Sequence, residues 1–90
     1  MLFPLLILGQ TPFMKGEKLF KEGKFDEAQP LLENYLKSNP NHLRTLEYLG
    51  DIAGHNKTWD ESISYYKKLK TLKPTEANYF YKYGGALGMK

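Results

Sequence analysis

Glycine recurs in this chain at a fixed interval of 34 residues, at Gly16, Gly50 and Gly84. Proline keeps the same interval at Pro40 and Pro74. A period of this length is typical of proteins built from stacked structural repeats. In such an array most residues pack one unit on the next or form an extended surface. The period therefore favours a binding or structural role over an enclosed active site.

The composition excludes several kinds of chemistry. The 90 residues contain no cysteine, which rules out disulfides, zinc–thiolate sites and thiol nucleophiles. We find no catalytic motif, and we expect neither enzymatic activity nor a cofactor or a resident metal. The net charge is only +3, and lysines alternate with acidic residues over most of the chain. No nucleic-acid partner is therefore expected.

Residues 1–9 form a separate apolar segment. The run from Met1 to Leu8 is apolar apart from Pro4, but it is far shorter than the roughly 20 residues that span a bilayer, so no integral membrane span is predicted. The segment fits either an apolar arm on the first helix or the remnant of a signal peptide, although no Lys or Arg precedes it. The location is accordingly either cytoplasmic or exported (periplasmic or otherwise extracytoplasmic).

Apolar residues recur at helical spacing in five segments, and start and stop signals separate them. The first helix begins at Thr11–Pro12, and Gly23 is expected to end it in the left-handed conformation. We expect Asn56 to take the same left-handed role after the third helix. Caps are predicted at Asn41 for the third helix and at Thr75 for the fifth.

Each glycine of the period is expected where two antiparallel helices approach closely. In the first unit we predict that Gly16 meets Ala28. In the second unit we predict that Gly50 meets Ser62. The apolar stripe of the fourth helix is expected to run as far as Leu72.

These residues resemble the tetratricopeptide repeat, a helix–turn–helix unit of 34 residues. The matching signature positions lie in all three units: Gly16, Phe25, Ala28, Pro40, Leu49, Gly50, Trp59, Tyr66, Pro74, Tyr83 and Gly84. The resemblance covers residues 10–90 and implies an all-α fold, an α-solenoid of about two and a half units with five helices. The units are expected at residues 10–42, 43–76 and 77–90.

In the fold that this resemblance implies, the first helix of each unit lines a concave groove. The expected function is a protein-interaction scaffold that binds a peptide or a partner helix there. The candidate contact residues combine aromatic rings with both signs of charge: Phe13, Glu17, Phe20, Arg44, Glu47, Tyr48, Asp51, Asn78, Tyr81 and Lys82. For any one of them a solvated face without a ligand is the alternative. A clamp for the terminal carboxylate of chaperone tails is not expected, because Glu17 would repel a carboxylate.

A structural, self-associating module is the alternative function. The fifth helix carries an aromatic face that a following helix would normally cover, and such a face usually marks an interface. The residues of this face are Tyr79, Phe80, Tyr83 and Leu87. Either a homodimer or a longer array of repeats would cover it.

Two further sets of residues have simple explanations as polar surface. Glu47, Asp51 and His55 lie four residues apart on one helix and could ligate a divalent metal. One histidine with two carboxylates is only weak evidence for a metal site, and such a line is more often plain polar surface. A set of lysines enriches the second unit in positive charge, which suits either an acidic partner or a solvated convex face. These are Lys57, Lys67, Lys68, Lys70 and Lys73.

Overall fold

The computed structural model describes residues 11–90 of the chain. Over this range the backbone forms five α-helices and no strand, which confirms the all-α prediction. The helices are α1 (Pro12–Lys21), α2 (Phe25–Ser38), α3 (Leu43–His55), α4 (Trp59–Leu72) and α5 (Ala77–Met89). The expectation for residues 1–9, an apolar arm or a signal-peptide remnant, lies outside the described residues.

Each helix packs on the next one along the chain, and α1 also touches α3. This order of contacts is that of an α-solenoid, in which pairs of helices stack side by side. The body is elongated, with extents of 52 × 26 × 19 Å. The predicted solenoid of five helices is confirmed, whereas the unit boundaries at residues 10–42, 43–76 and 77–90 stay a prediction.

The helix starts agree with the sequence only in part. Thr11 caps α1 as predicted, since its side-chain oxygen accepts from the backbone N–H of Met14 at 3.1 Å. The predicted cap at Asn41 is wrong. The cap of α3 is His42, whose Nδ1 accepts from the backbone N–H of Thr45 at 3.3 Å. An imidazole nitrogen thus replaces the usual short polar side chain, and the helix begins one residue later than expected.

The predicted cap at Thr75 is also wrong. The cap position of α5 belongs to Glu76, and its side chain makes no capping hydrogen bond. The second helix of each unit likewise starts without a side-chain cap. Two acidic residues occupy the first turn in both cases, where the helix dipole favours negative charge: Asp26 and Glu27 in α2, Asp60 and Glu61 in α4.

Two turns between paired helices use the left-handed conformation. Gly23 has φ +79°, as predicted. The prediction for Asn56 is wrong, because this residue stays right-handed at φ −84° while Lys57 takes φ +61°. Lys57 lies one full period after Gly23. The period therefore locates the turn correctly even where the residue type does not favour it.

Two of the periodic glycines lie under a large side chain of the paired helix. A Cβ placed on Gly16 would be 2.9 Å from Leu32, and one on Gly50 would be 2.5 Å from the ring of Tyr66. The nearest side chain to Gly16 is thus Leu32, one turn further along α2 than Ala28, and the predicted contact between Gly16 and Ala28 stays a prediction. The contact between Gly50 and Ser62 is confirmed, since the Ser62 hydroxyl donates to the Gly50 carbonyl at 3.0 Å.

Two clusters of buried apolar residues hold the units together. The first joins α2 to α3 and contains Ala28, Leu32, Leu49 and Ile52. The second joins α3, α4 and α5 and contains Leu46, Tyr66, Leu69 and Ala86. Leu72 was expected to continue the stripe of α4 and does not, because the helix ends at this residue and its side chain is 39 % exposed.

Candidate functional site

The predicted groove residues come from α1, α3 and α5, and side-chain hydrogen bonds connect these three helices. Donors on α3 hold Glu17 of α1, and donors on α5 hold Glu47 and Asp51 of α3. The structure thus brings the predicted polar residues together. It also pairs them with one another, which the sequence did not predict.

Glu17 is the acceptor at the junction of α1 and α3. The Tyr48 hydroxyl and the Arg44 guanidinium, the latter at 3.1 Å, both donate to its Oε2. The hydrogen bond from Tyr48 is the main reason that the pKa of Glu17 is lowered. Burial, and then the bond to Glu17, raises the pKa of Tyr48 to about 12. The Arg44 side chain is 61 % exposed and keeps further N–H donors within reach of a partner.

Lys82 is the donor at the junction of α3 and α5. Its ammonium lies 2.8 Å from Glu47 Oε2 and 2.9 Å from Asp51 Oδ1. The Tyr66 hydroxyl also donates to Asp51, at 2.5 Å. Burial lowers the pKa of Lys82, but the two hydrogen bonds to carboxylates outweigh it, and the pKa is raised above its ordinary value. Tyr66 belongs to this cluster although the sequence placed it only in the core.

The same contact recurs at both junctions. Glu17 and Asp51 are one period apart, and so are Tyr48 and Lys82. Glu17 accepts from Tyr48, 31 residues later, and Asp51 accepts from Lys82, also 31 residues later. The sequence signal for both hydrogen bonds is an acidic residue followed by a donor 31 residues later, which occurs once in each period.

A row of aromatic rings crosses from α1 to α3. The ring of Tyr48 stacks on Phe20, with 4.3 Å between centroids, and lies parallel to Phe13 at 6.2 Å. All three rings are partly exposed. Partly exposed aromatic side chains are frequent anchors in protein interfaces. This row is the apolar part of the candidate groove.

Two residues of α2 extend the row, and sequence reasoning did not place them in the groove. Tyr35 meets the ring of His42 edge-on at 5.1 Å. Phe25 lies 5.2 Å from Phe20 and meets His55 edge-on at 4.8 Å. Spacing within one helix could not show these contacts, because the rings come from α1, α2, α3 and the loop before α3.

An open depression of about 610 Å³ lies at the start of α3. Its lining residues come from α1, α3, α5 and the loop before α3: Phe13, Asn41, His42, Leu43, Arg44, Glu47 and Tyr79. Three predicted groove residues, Phe13, Arg44 and Glu47, therefore share one concave surface. Tyr79 was predicted for self-association, and it is partly buried beside this depression.

The remaining groove candidates differ in their exposure. Asn78 is exposed and donates to Glu47 at 3.3 Å. Tyr81 is 80 % exposed, the most exposed of the large apolar side chains in residues 11–90. His55 is exposed at the end of α3, where it packs on Phe25.

The self-association candidates divide into two pairs. Phe80 and Leu87 are 45 % and 47 % exposed, whereas Tyr79 and Tyr83 are partly buried against α4. The ammonium of Lys70 lies over the rings of Phe80 and Tyr83, at 5.6 and 4.9 Å from their centroids. Lys70, one of the lysines that enrich the second unit in positive charge, thus makes cation–π contacts with α5.

The described residues 11–90 contain no group of three acidic or histidine side chains that could hold a metal ion. Glu47 and Asp51 instead share the ammonium of Lys82. The third member of that line, His55, contacts an aromatic ring.

Comparison with known proteins gives one match. A family model described as Tetratricopeptide repeat matches residues 13–77, more than half of the chain. The chain belongs to the tetratricopeptide repeat family. Repeats of this family generally mediate protein–protein interactions and are typically non-catalytic scaffolds. No curated protein matches the chain significantly.

Membership of the tetratricopeptide repeat family bears out the resemblance drawn from the periodic residues. The matched range runs from the second residue of α1 to the first residue of α5. In residues 11–90, none of the helices combines the length and the apolar character needed to cross a bilayer.

The stability of this tetratricopeptide repeat protein is expected to fall between about pH 10 and pH 12. Unfolded chains lose the Tyr48 proton near its ordinary pKa of 10.0, whereas the folded protein holds it until about 12. The contribution is therefore complete below about pH 10 and is lost as the pH rises. The raised pKa of Lys82 acts in the same direction.

Urea unfolding of the wild type and Tyr48→Phe, at about pH 9 and about pH 11, checks this prediction. The variant should lose less stability than the wild type over that interval. Tyr81→Phe is the matched control, because this ring is exposed, and it should follow the wild type. An equal loss in the wild type and Tyr48→Phe would show that the hydroxyl of Tyr48 is not involved.

Proposed function

We propose that this protein binds a segment of another protein, extended or helical, across the concave surface of α1, α3 and α5. The observation that supports this most directly is the partly exposed row formed by Phe13, Tyr48 and Phe20, with the exposed Arg44 beside it. Aromatic rings and arginine are the side chains that most often dominate the energy of protein interfaces. No catalytic step is part of this proposal.

The candidate residues divide into those that hold the surface and those that contact the partner. Lys82 of α5 donates hydrogen bonds to Glu47 and Asp51 of α3, and these bonds hold the two helices in position. Glu17 does the same for α1 and α3. Such internal pairing reduces the ordering that binding would otherwise require.

The partner contacts are assigned to the aromatic row and two exposed side chains. Arg44 has one hydrogen bond to Glu17 and further donors that can bind a carboxylate. Tyr81 adds a largely exposed ring from α5. The surface therefore suits a segment in which an aromatic or aliphatic residue lies near an acidic one. The apolar residue would pack on the row at Tyr48, and the acid would pair with Arg44.

A displayed library of random peptides, selected on the immobilised full chain, tests this proposal. The affinities of enriched peptides are then measured by titration calorimetry against the wild type and the variants Arg44→Ala and Tyr81→Ala. Both side chains are exposed, so both variants should keep the helical circular dichroism of the wild type. Each is expected to weaken binding about tenfold, the loss typical of an interface anchor.

Lys68→Ala is the matched control, because Lys68 is an exposed cation on α4, outside the groove. It should bind the selected peptides as the wild type does. The proposal fails if no peptide is enriched. It also fails if binding is the same in Arg44→Ala, Tyr81→Ala and the control.

A further inference from the structure

One face of α5 is exposed at positions that are buried in the preceding unit. Phe80 and Leu87 are 45 % and 47 % exposed. One period earlier, Leu46 and Ala53 are 1 % and 4 % exposed, and Leu46 packs with Tyr66 and Leu69 of α4. The difference does not come from residue type, since the α5 side chains are the larger ones. Neither Phe80 nor Leu87 belongs to a buried cluster of residues 11–90, although the ammonium of Lys70 on α4 lies 5.6 Å from the centroid of the Phe80 ring.

Gly84 leaves an open space at the centre of this face. A Cβ placed on Gly84 meets no atom within 4 Å, whereas one on Gly50 would meet the ring of Tyr66 at 2.5 Å. At Gly50 the glycine admits a bulky side chain from the paired helix. The equivalent space at Gly84 is unfilled by any of residues 11–90.

The same face also carries a side chain of the right kind to fill that space. Phe80 lies one helical turn before Gly84, and Ala77 and Leu87 flank them at helical spacing. Two such helices, antiparallel and centred near residue 82, would pair large residues with small ones throughout. Phe80 would lie over Gly84 of the second helix, and Leu87 over Ala77.

We infer that α5 pairs with α5 of a second copy of this chain. The two helices run antiparallel and are related by a twofold axis. Each copy then supplies both the aromatic ring and the glycine that receives it, so the contact is made twice and the assembly closes as a dimer. The pairing repeats between chains the contact that Gly50 and Tyr66 make within one chain. This surface is distinct from the proposed peptide groove.

Among the described residues, the α1 end of the solenoid is poorly suited to cover α5. Lys15 and Lys18 of α1 occupy the positions of Leu49 and Ile52, which are buried one period later. Both lysines are exposed. Packing of α5 on that end in a head-to-tail chain of copies would bring apolar residues against two ammonium groups. Pairing of α5 with α5 of a second copy is therefore more favourable than packing of α5 on α1.

The expected dimer is weak. The paired segment is a single helix of 13 residues, about 20 Å long. A contact of this length is smaller than the interfaces of stable dimers. We therefore expect association in the range from about 1 µM to about 1 mM, where sedimentation equilibrium can follow it.

The test compares Gly84→Ala with Gly85→Ala in the full chain. In a single copy neither added methyl group meets any atom within 4 Å, and alanine favours the helix equally at both positions. Both variants should therefore melt at or slightly above the wild-type temperature in dilute solution. Only Gly84→Ala places its methyl group against the second copy, and it should weaken self-association about tenfold or more.

Phe80→Ala provides an independent variant and should also abolish most of the association. Gly85→Ala should associate as the wild type does. A wild-type protein that stays monomeric over the whole concentration range would overturn the inference, and would leave this face to another protein or to further chain. Association that is unchanged in both Gly84→Ala and Phe80→Ala would also overturn it, since a different surface would then pair.

The absence of cysteine allows a direct test of the register. Copies carrying Ala77→Cys are mixed with copies carrying Leu87→Cys under mild oxidation. The proposed pairing predicts a disulfide-linked heterodimer that forms faster than the homodimer of either variant alone. Equal rates for all three species would contradict the antiparallel register.

Discussion

Replacing Gly50 with alanine is expected to lower the free energy of unfolding by about 1–2 kcal/mol. The new methyl group would lie 2.5 Å from the ring of Tyr66, a distance that requires something to move. The ring cannot move freely, because its hydroxyl donates to Asp51 at 2.5 Å and its body is buried in the second core cluster. The cost exceeds the gain in helix propensity that alanine brings. Leucine at this position should cost about 3 kcal/mol.

The periodic glycines offer matched controls within the same chain. Gly16→Ala should cost less, because its methyl group would lie 2.9 Å from Leu32 rather than 2.5 Å from a ring. Gly84→Ala should instead stabilise the monomer by about 0.5–1 kcal/mol, since nothing lies within 4 Å of the new methyl group. Urea unfolding in dilute solution measures all three. Equal effects at Gly50 and Gly84 would show that α3 and α4 do not approach closely at Gly50.

Replacing Lys82 with methionine is expected to cost about 1–3 kcal/mol of stability at neutral pH. The ammonium is shared by Glu47 and Asp51, and all three side chains are mostly removed from solvent. Without it, two carboxylates would face each other with no cation between them. Methionine keeps the length and apolar body of the side chain, so the loss reports the charge rather than the packing.

Lys68→Met on the exposed side of α4 is the control, and it should change stability by less than about 0.5 kcal/mol. Adding Asp51→Asn to Lys82→Met should restore part of the loss, because one of the two opposed charges is removed. A double variant that is no more stable than Lys82→Met alone would assign the effect to packing.

The sequence predicts well those features that depend on the backbone period. Five helices and the close approach at Gly50 follow from residue types that recur every 34 residues, and the turn at Gly23 follows from the glycine itself. The turn at Lys57 shows how far this holds. The sequence predicted this turn one residue too early, at Asn56, because lysine disfavours the left-handed backbone that Lys57 adopts.

The groove was harder to predict, because its contacts join side chains from different helices. Spacing on one helix shows that Glu47 and Asp51 share a face, but not that Lys82 of α5 lies between them. The list of contact residues for the groove therefore stays a prediction, and the sequence did not show how its members bond to one another. Glu17, Glu47, Asp51 and Lys82 are bonded within the protein, while Arg44 and Tyr81 keep most of their surface exposed.

The bridges between successive first helices have a consequence for the length of the array. The carboxylate of one unit accepts a hydrogen bond from a side chain 31 residues later. Residues 43–76 therefore carry a donor, Tyr48, which bonds to the preceding unit, and an acceptor, Asp51, which bonds to the following one. An inserted second copy of this segment would place its own tyrosine opposite Asp51 and offer its own aspartate to Lys82. The array can thus be lengthened by whole units. Each added junction would use the same kinds of acceptor and donor that the protein already contains.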